Sequence, residues 1–108
     1  MTEFALVLTT FPADADAEAV ARALVEERLA ACVNLLEPMK SVYRWKGELE
    51  VAAERQVIIK TATARVADLQ RRLTELHPYD VPEFLVIGIE RGSEPYLEWL
   101  TSSLRLQG

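Results

Sequence analysis

A chain of 108 residues, half hydrophobic and 27% charged, has room for one core and reads as a single domain over 1–108, with much surface left wet unless subunits associate. The formal net charge of -5 argues against a phosphate-tracking surface and hence against a nucleic-acid partner, and leaves cations and basic partners admissible. The single cysteine, Cys32, cannot close an intrachain disulfide, Met1-Thr2-Glu3 has no signal-like character, and no apolar run approaches bilayer length, so a cytoplasmic location without a membrane partner is expected.

Glu3 to Thr10 reads as a first strand, since Phe4-Ala5-Leu6-Val7-Leu8 is a short apolar run closed off by Phe11-Pro12. Asp14 or Asp16 then caps a helix to about Arg28, with Ala17, Val20, Ala21, Leu24 and Val25 at helical spacing. Cys32 to Trp45 is extended and interrupted at Pro38, which lacks a ladder donor. From Met39 the alternation puts Met39, Ser41, Tyr43 and Trp45 on one face, and Lys46-Gly47-Glu48 turns the chain into a return strand over Leu49 to Thr61. Thr63 caps a second helix, with Val66, Leu69, Leu73 and Leu76 inward, which ends at His77-Pro78 because the residue before proline disfavours the helical region. Phe84 to Glu90 is a further strand, apolar on both faces. Ser93-Glu94-Pro95 opens a third helix carrying Tyr96, Trp99, Leu100 and Leu104.

The order strand, helix, strand, strand, helix, strand, helix is the split βαβ arrangement of ferredoxin-like α+β folds, with two helices on one face of an antiparallel sheet. A C-terminal helix cannot shield the whole of the other face. Strands apolar on both sides therefore imply a homo-oligomer, with the long hairpin reaching across.

No glycine-rich dinucleotide turn, phosphate-binding loop, paired-His zinc motif or Cys-x-x-Cys is present, and no organic cofactor is expected. The chemistry concentrates in His77-Pro78-Tyr79-Asp80-Val81-Pro82-Glu83, where the only histidine stands beside carboxylates and a phenol in a turn stiffened by two prolines. His77 could be a metal ligand, a titrating general acid or base oriented by Asp80 or Glu83, or an anchor for the helix end. Its mixture of nitrogen and oxygen donors suits Cu(II), Ni(II) or Zn(II), although one turn rarely supplies a whole site. Cys32 could ligate or react, but a free cysteine is commonly a small buried hydrophobe. Tyr43 and Trp45 could stack on a ligand or pack in a core or interface. Lys60 could pair an acid, hold an anion or end a strand in solvent.

Leu29-Ala30-Ala31-Cys32-Val33-Asn34, Ser41-Val42-Tyr43-Arg44-Trp45-Lys46-Gly47, Ile59-Lys60-Thr61 and His77-Pro78-Tyr79-Asp80-Val81-Pro82-Glu83 together resemble the CutA family of divalent-cation tolerance proteins, in order and over nearly the whole chain. The resemblance implies a ferredoxin-like homotrimer, PII-like in architecture, with long hairpins bracing the subunits and clefts between them. It also implies a metal-binding role in the response to divalent metal ions, with Cu(II) the first candidate and Zn(II) the second, and the absence of a nucleophile or cofactor motif argues against an enzyme. By position, Cys32 and His77 match residues considered copper ligands in the family, while Thr9 and Leu76 stand where some members carry a cysteine and a histidine. Lys60, Trp45, Tyr79 and Glu83 are the further cleft candidates. The alternative is a PII-like signalling or interaction trimer that binds a small metabolite or a protein, a reading carried by architecture alone.

Overall fold

In the computed structural model, which describes residues 2–106, the first apolar run becomes strand β1 (Phe4–Pro12). It runs two residues past the expected end. Pro12 occupies the last ladder position, opposite Glu54, where a missing N–H costs least, and the Ala13 N–H bonds the Ala53 carbonyl just beyond. Helix α1 (Ala17–Glu26) is capped by Asp16, whose Oδ1 accepts the Ala19 N–H at 3.1 Å. It stops short of Arg28, which takes a left-handed φ of 62°.

The extended stretch 32–45 is two strands rather than one. β2 (Cys32–Leu35) and β3 (Met39–Trp45) are separated at Pro38, and both pair with the return strand β4 (Glu48–Ala62). The turn between β3 and β4 is Lys46-Gly47, with φ of 50° and 82°. Two successive positive φ values give the twist that a two-residue hairpin loop needs, which explains the glycine. After one turn of 3-10 helix at Thr63–Arg65 comes α2 (Val66–Leu76). Thr63 does not cap it, because its hydroxyl donates to the Thr2 carbonyl instead, at 2.6 Å. β5 (Leu85–Ile89) and α3 (Glu94–Leu104) complete the fold.

The antiparallel sheet has the order β2-β4-β1-β5, with β3 extending the ladder along β4. This is the ferredoxin-like arrangement, with one more strand than expected because Pro38 divides the outer one. Side chains alternate across a strand, so Val7, Phe11, Val57 and Ile59 share one face, packed under Leu24 of α1 and Leu69 and Leu73 of α2. Truncating any of these three leucines to alanine costs about 2–5 kcal/mol, since each is almost wholly enclosed.

The opposite face carries Leu6, Leu8, Ile58 and Lys60 with, by register, Cys32, Asn34, Leu85 and Ile87. α3 covers only its Phe4–Ala62 end, through Leu100 and Leu104. The remainder is bare in the single chain: Leu85 is 54% and Ile87 47% exposed. β5 was expected to be apolar on both faces, and it is, but neither face is fully covered because β5 is an edge strand. Exposed apolar side chains contiguous on one sheet face mark a surface for association. Beyond Glu54 the β3–β4 ribbon leaves the body of the sheet and lengthens the molecule to 48 × 26 × 23 Å. Among the described residues no helix is long and apolar enough to cross a membrane.

Candidate functional site

α2 ends because His77 must adopt an extended backbone, φ -81° and ψ 138°, before Pro78. Its backbone N–H still bonds the Leu73 carbonyl at 2.9 Å, the helix-ending role anticipated for it. The side chain does something else. It is 8% exposed, stacks on Phe11 with ring centroids 4.2 Å apart, and uses both ring nitrogens within the chain. Nε2 meets the Thr10 carbonyl at 2.7 Å and Nδ1 accepts the Tyr79 N–H at 3.0 Å. A carbonyl can only accept and an N–H can only donate, so the ring is neutral with its proton on Nε2. Burial pulls its pKa below the ordinary 6.5, against the smaller opposing effects of the Thr10 carbonyl and the Glu54 charge. In this conformation both ring nitrogens of His77 are thus engaged within the chain, and the side chain ties the end of α2 to β1.

The anchor sets the turn that follows. Tyr79 reaches back over the sheet, where its hydroxyl donates to Glu54 Oε2 at 2.6 Å. Burial raises the phenol's pKa well above its usual value, and the hydrogen bond to Glu54 with that carboxylate's charge adds to the effect. Further along, Gln56 Nε2 donates both to the Thr9 carbonyl at 2.7 Å and to Glu83 Oε2 at 2.9 Å. The turn is therefore tied to the sheet at three points, through His77, Tyr79 and Glu83.

Between the turn and the root of the ribbon lies a cavity of about 620 Å³. Its floor is the open sheet face at Thr10, Glu54 and Gln56, one wall is Met39, Ser41, Tyr43 and Trp45, and the other is the turn from Pro78 to Glu83. The single-face alternation expected of Met39, Ser41, Tyr43 and Trp45 holds, and it is what builds the wall. Glu54, Asp80 and Glu83 give the lining three carboxylates, and among the described residues no Lys, Arg or His contributes to it.

The candidate residues thus divide. Trp45, Tyr79 and Glu83 line the cavity, His77 supports it from behind, and Lys60 and Cys32 lie elsewhere. Cys32 and Lys60 are direct partners in the β2–β4 ladder, four residues along β4 from Gln56, or ~13 Å at the rise of a strand. Cys32 is half-buried, and the Lys60 ammonium lies 5.9 Å from the Tyr96 ring centre on α3. Cys32 and His77 are not brought together within one chain. Among the described residues no three His, Cys, Asp or Glu side chains are grouped closely enough to hold a metal ion.

Glu54 and Gln56 are the site residues that sequence reading missed. The signal was available: counting outward from the Lys46-Gly47 turn puts Met39 opposite Glu54, on the face that carries Tyr43 and Trp45.

A split βαβ sheet with an overlong hairpin, a bare apolar face and an acidic, aromatic cavity defines a ferredoxin-like α+β protein. The family model described as CutA1 divalent ion tolerance protein matches residues 5–103. The chain belongs to that family. The divalent-cation tolerance protein CutA of Thermus thermophilus is 45% identical over 95 residues, which cover 88% of this chain and 92% of that protein. The crystal structure of CutA from Xylella fastidiosa is similar with a TM-score of 0.91 and 39% identity, covering 95% of this chain and 99% of that one. A structure described as the periplasmic divalent cation tolerance protein CutA of Archaeoglobus fulgidus matches at a TM-score of 0.89 and 35% identity, over 94% of this chain and 98% of that one.

Proposed function

We propose that the chain works without catalysis as a cytoplasmic, PII-like homotrimer that responds to metal by binding a divalent cation weakly at the cavity, which neighbouring subunits complete into a cleft. The observation that carries this reading is the lining itself, three carboxylates with no positive side chain beside them among the described residues. Carboxylate oxygens that are not already grouped into a cage hold an ion loosely, and for a given donor set the divalent order favours Cu(II) over Zn(II). Glu54 and Glu83 supply the donors, with Asp80 at the rim. His77 holds the turn in place. Cys32 enters a site only where another subunit brings a second donor to the open face. Association of subunits is supported by the bare Leu85 and Ile87 on the face that α3 leaves uncovered.

Calorimetric titration of Cu(II) and Zn(II) into wild type, Glu83→Gln and Cys32→Ala tests the assignment. Binding should weaken at least tenfold in Glu83→Gln and stay within twofold in Cys32→Ala. The reverse pattern would move the site to the open face. Sedimentation of the same samples should give the mass of three chains, and a monomer at micromolar concentration would remove the cleft.

A further inference from the structure

The carboxylates account for only part of the cavity. Tyr43, Trp45 and Tyr79 bring three aromatic side chains to the same space, and Met39 and Val81 add apolar surface. A weakly held metal ion uses the carboxylates alone and leaves the aromatic and apolar groups idle. An organic ammonium uses all of them. Its charge is met by carboxylates and by the electron-rich faces of aromatic rings, and its carbon body by the apolar surface between them. The size agrees, since about 620 Å³ falls within the usual range of small-molecule pockets.

Glu54 gives an independent sign. It is only 7% exposed, yet among the described residues no Lys, Arg or His lies within ion-pair distance of it. A buried carboxylate is ordinarily paired, because removing its charge from water is otherwise costly. One of its oxygens receives the Tyr79 hydroxyl; among the described residues no protein group donates to the other. The second oxygen is not a buried orphan, so the floor of the cavity presents a carboxylate oxygen that water or a bound donor can reach.

We propose that the cavity is a receptor for an alkylammonium group, carried by a small primary amine or diamine. Glu54 accepts the ammonium N–H at the floor, Tyr43 and Trp45 present their rings to the charge, and Glu83 and Asp80 meet a second ammonium at the rim. The inference rests on reading this cavity as a cation site, and it adds to that reading an organic body that the aromatic wall recognises.

The test uses Trp45 as its reporter. The chain has two tryptophans, so Trp99→Phe leaves Trp45 as the only indole, and its fluorescence reads the cavity wall directly. Putrescine, a four-carbon diamine, should change that fluorescence saturably, while the matching uncharged diol should not. In the same background Glu54→Gln and Tyr43→Leu should each weaken the response at least tenfold. Tyr43 is 40% exposed, so its replacement keeps the test informative where Glu54→Gln perturbs folding. Zn(II) should compete with putrescine. A putrescine response unchanged in both variants overturns the proposal. No response to putrescine while Zn(II) alone alters the Trp45 signal overturns it too, and leaves the cation reading standing. No response to either removes both.

Discussion

His77 and Thr10 stand 67 residues apart in sequence and meet at 2.7 Å, imidazole Nε2 to backbone carbonyl. That bond closes the end of α2 onto the central strand, and the Tyr79 N–H given to Nδ1 then aims the next aromatic ring at Glu54. A side chain with the chemistry of a ligand is thereby used as a joint. The cavity depends on it without being lined by it.

A buried neutral imidazole makes stability depend on pH in one direction. Above the ordinary value of 6.5 the ring is neutral whether the chain is folded or not, and the contribution is fully present. As pH falls below 6.5 the unfolded chain takes up a proton that the folded ring refuses. Stability then falls by up to about 1.4 kcal/mol per pH unit until the lowered folded pKa is reached. Denaturant unfolding at fixed protein concentration, compared at pH 7.5, 6.0 and 5.0, should show this loss. His77→Phe should lower stability at pH 7.5 by about 2–3 kcal/mol, through two lost hydrogen bonds and an unsatisfied Thr10 carbonyl, and should flatten the slope. An equally steep slope in the variant would place the titrating group elsewhere.

Two arginines hold the C-terminal end of α3. Arg65 Nη2 donates to the Leu104 carbonyl at 2.8 Å and Arg28 Nη1 to the Ser103 carbonyl at 2.9 Å, satisfying groups that a helix end otherwise leaves free. Arg65→Ala should cost about 1–3 kcal/mol, the range for a hydrogen bond from a charged donor. Hydrogen exchange should quicken over α3 before it does over β1 and β4. Unchanged protection in α3 would show that Leu100 and Leu104 suffice to hold the helix.

The open sheet face predicts an association that a single charge disrupts. Ile87 is 47% exposed and sits with Leu85 on the face that α3 leaves uncovered, so Ile87→Glu buries a carboxylate in any interface formed there. Sedimentation should show a shift toward monomer at micromolar concentration, with far-ultraviolet circular dichroism little changed. An oligomer of undiminished stability would locate the contact on another surface.

Much of the fold was legible because its signals are local. The apolar run of β1, the Lys46-Gly47 turn, the helical spacing of Leu69 and Leu73 and the stop at Pro78 each act over a few residues. The division at Pro38 and the failure of Thr63 to cap α2 were harder, since both depend on partners distant in the chain: β4 for the first, Thr2 for the second. The same holds at the site. Tyr79, Glu83 and Trp45 were identified from a stiff turn and an aromatic alternation, but the fate of His77 is decided by a carbonyl on β1. Glu54 and Gln56 look like ordinary strand polars until the hairpin register places them under the turn.

The fifteen residues of β4 serve three neighbours, β1, β2 and β3, yet residues 48–52 have a ladder partner on β3 only. A two-stranded ribbon is marginal by itself in water, so the outer half of the hairpin behaves as a cantilever fixed at Glu54. Tyr43 and Trp45 ride on that half, which makes the shape of the cavity hostage to whatever steadies the ribbon's free edge. A second surface docking there and a ligand seated against the aromatic wall would each favour the same ordered ribbon. Two events that draw on one ordering step are coupled, and each must strengthen the other by the same factor.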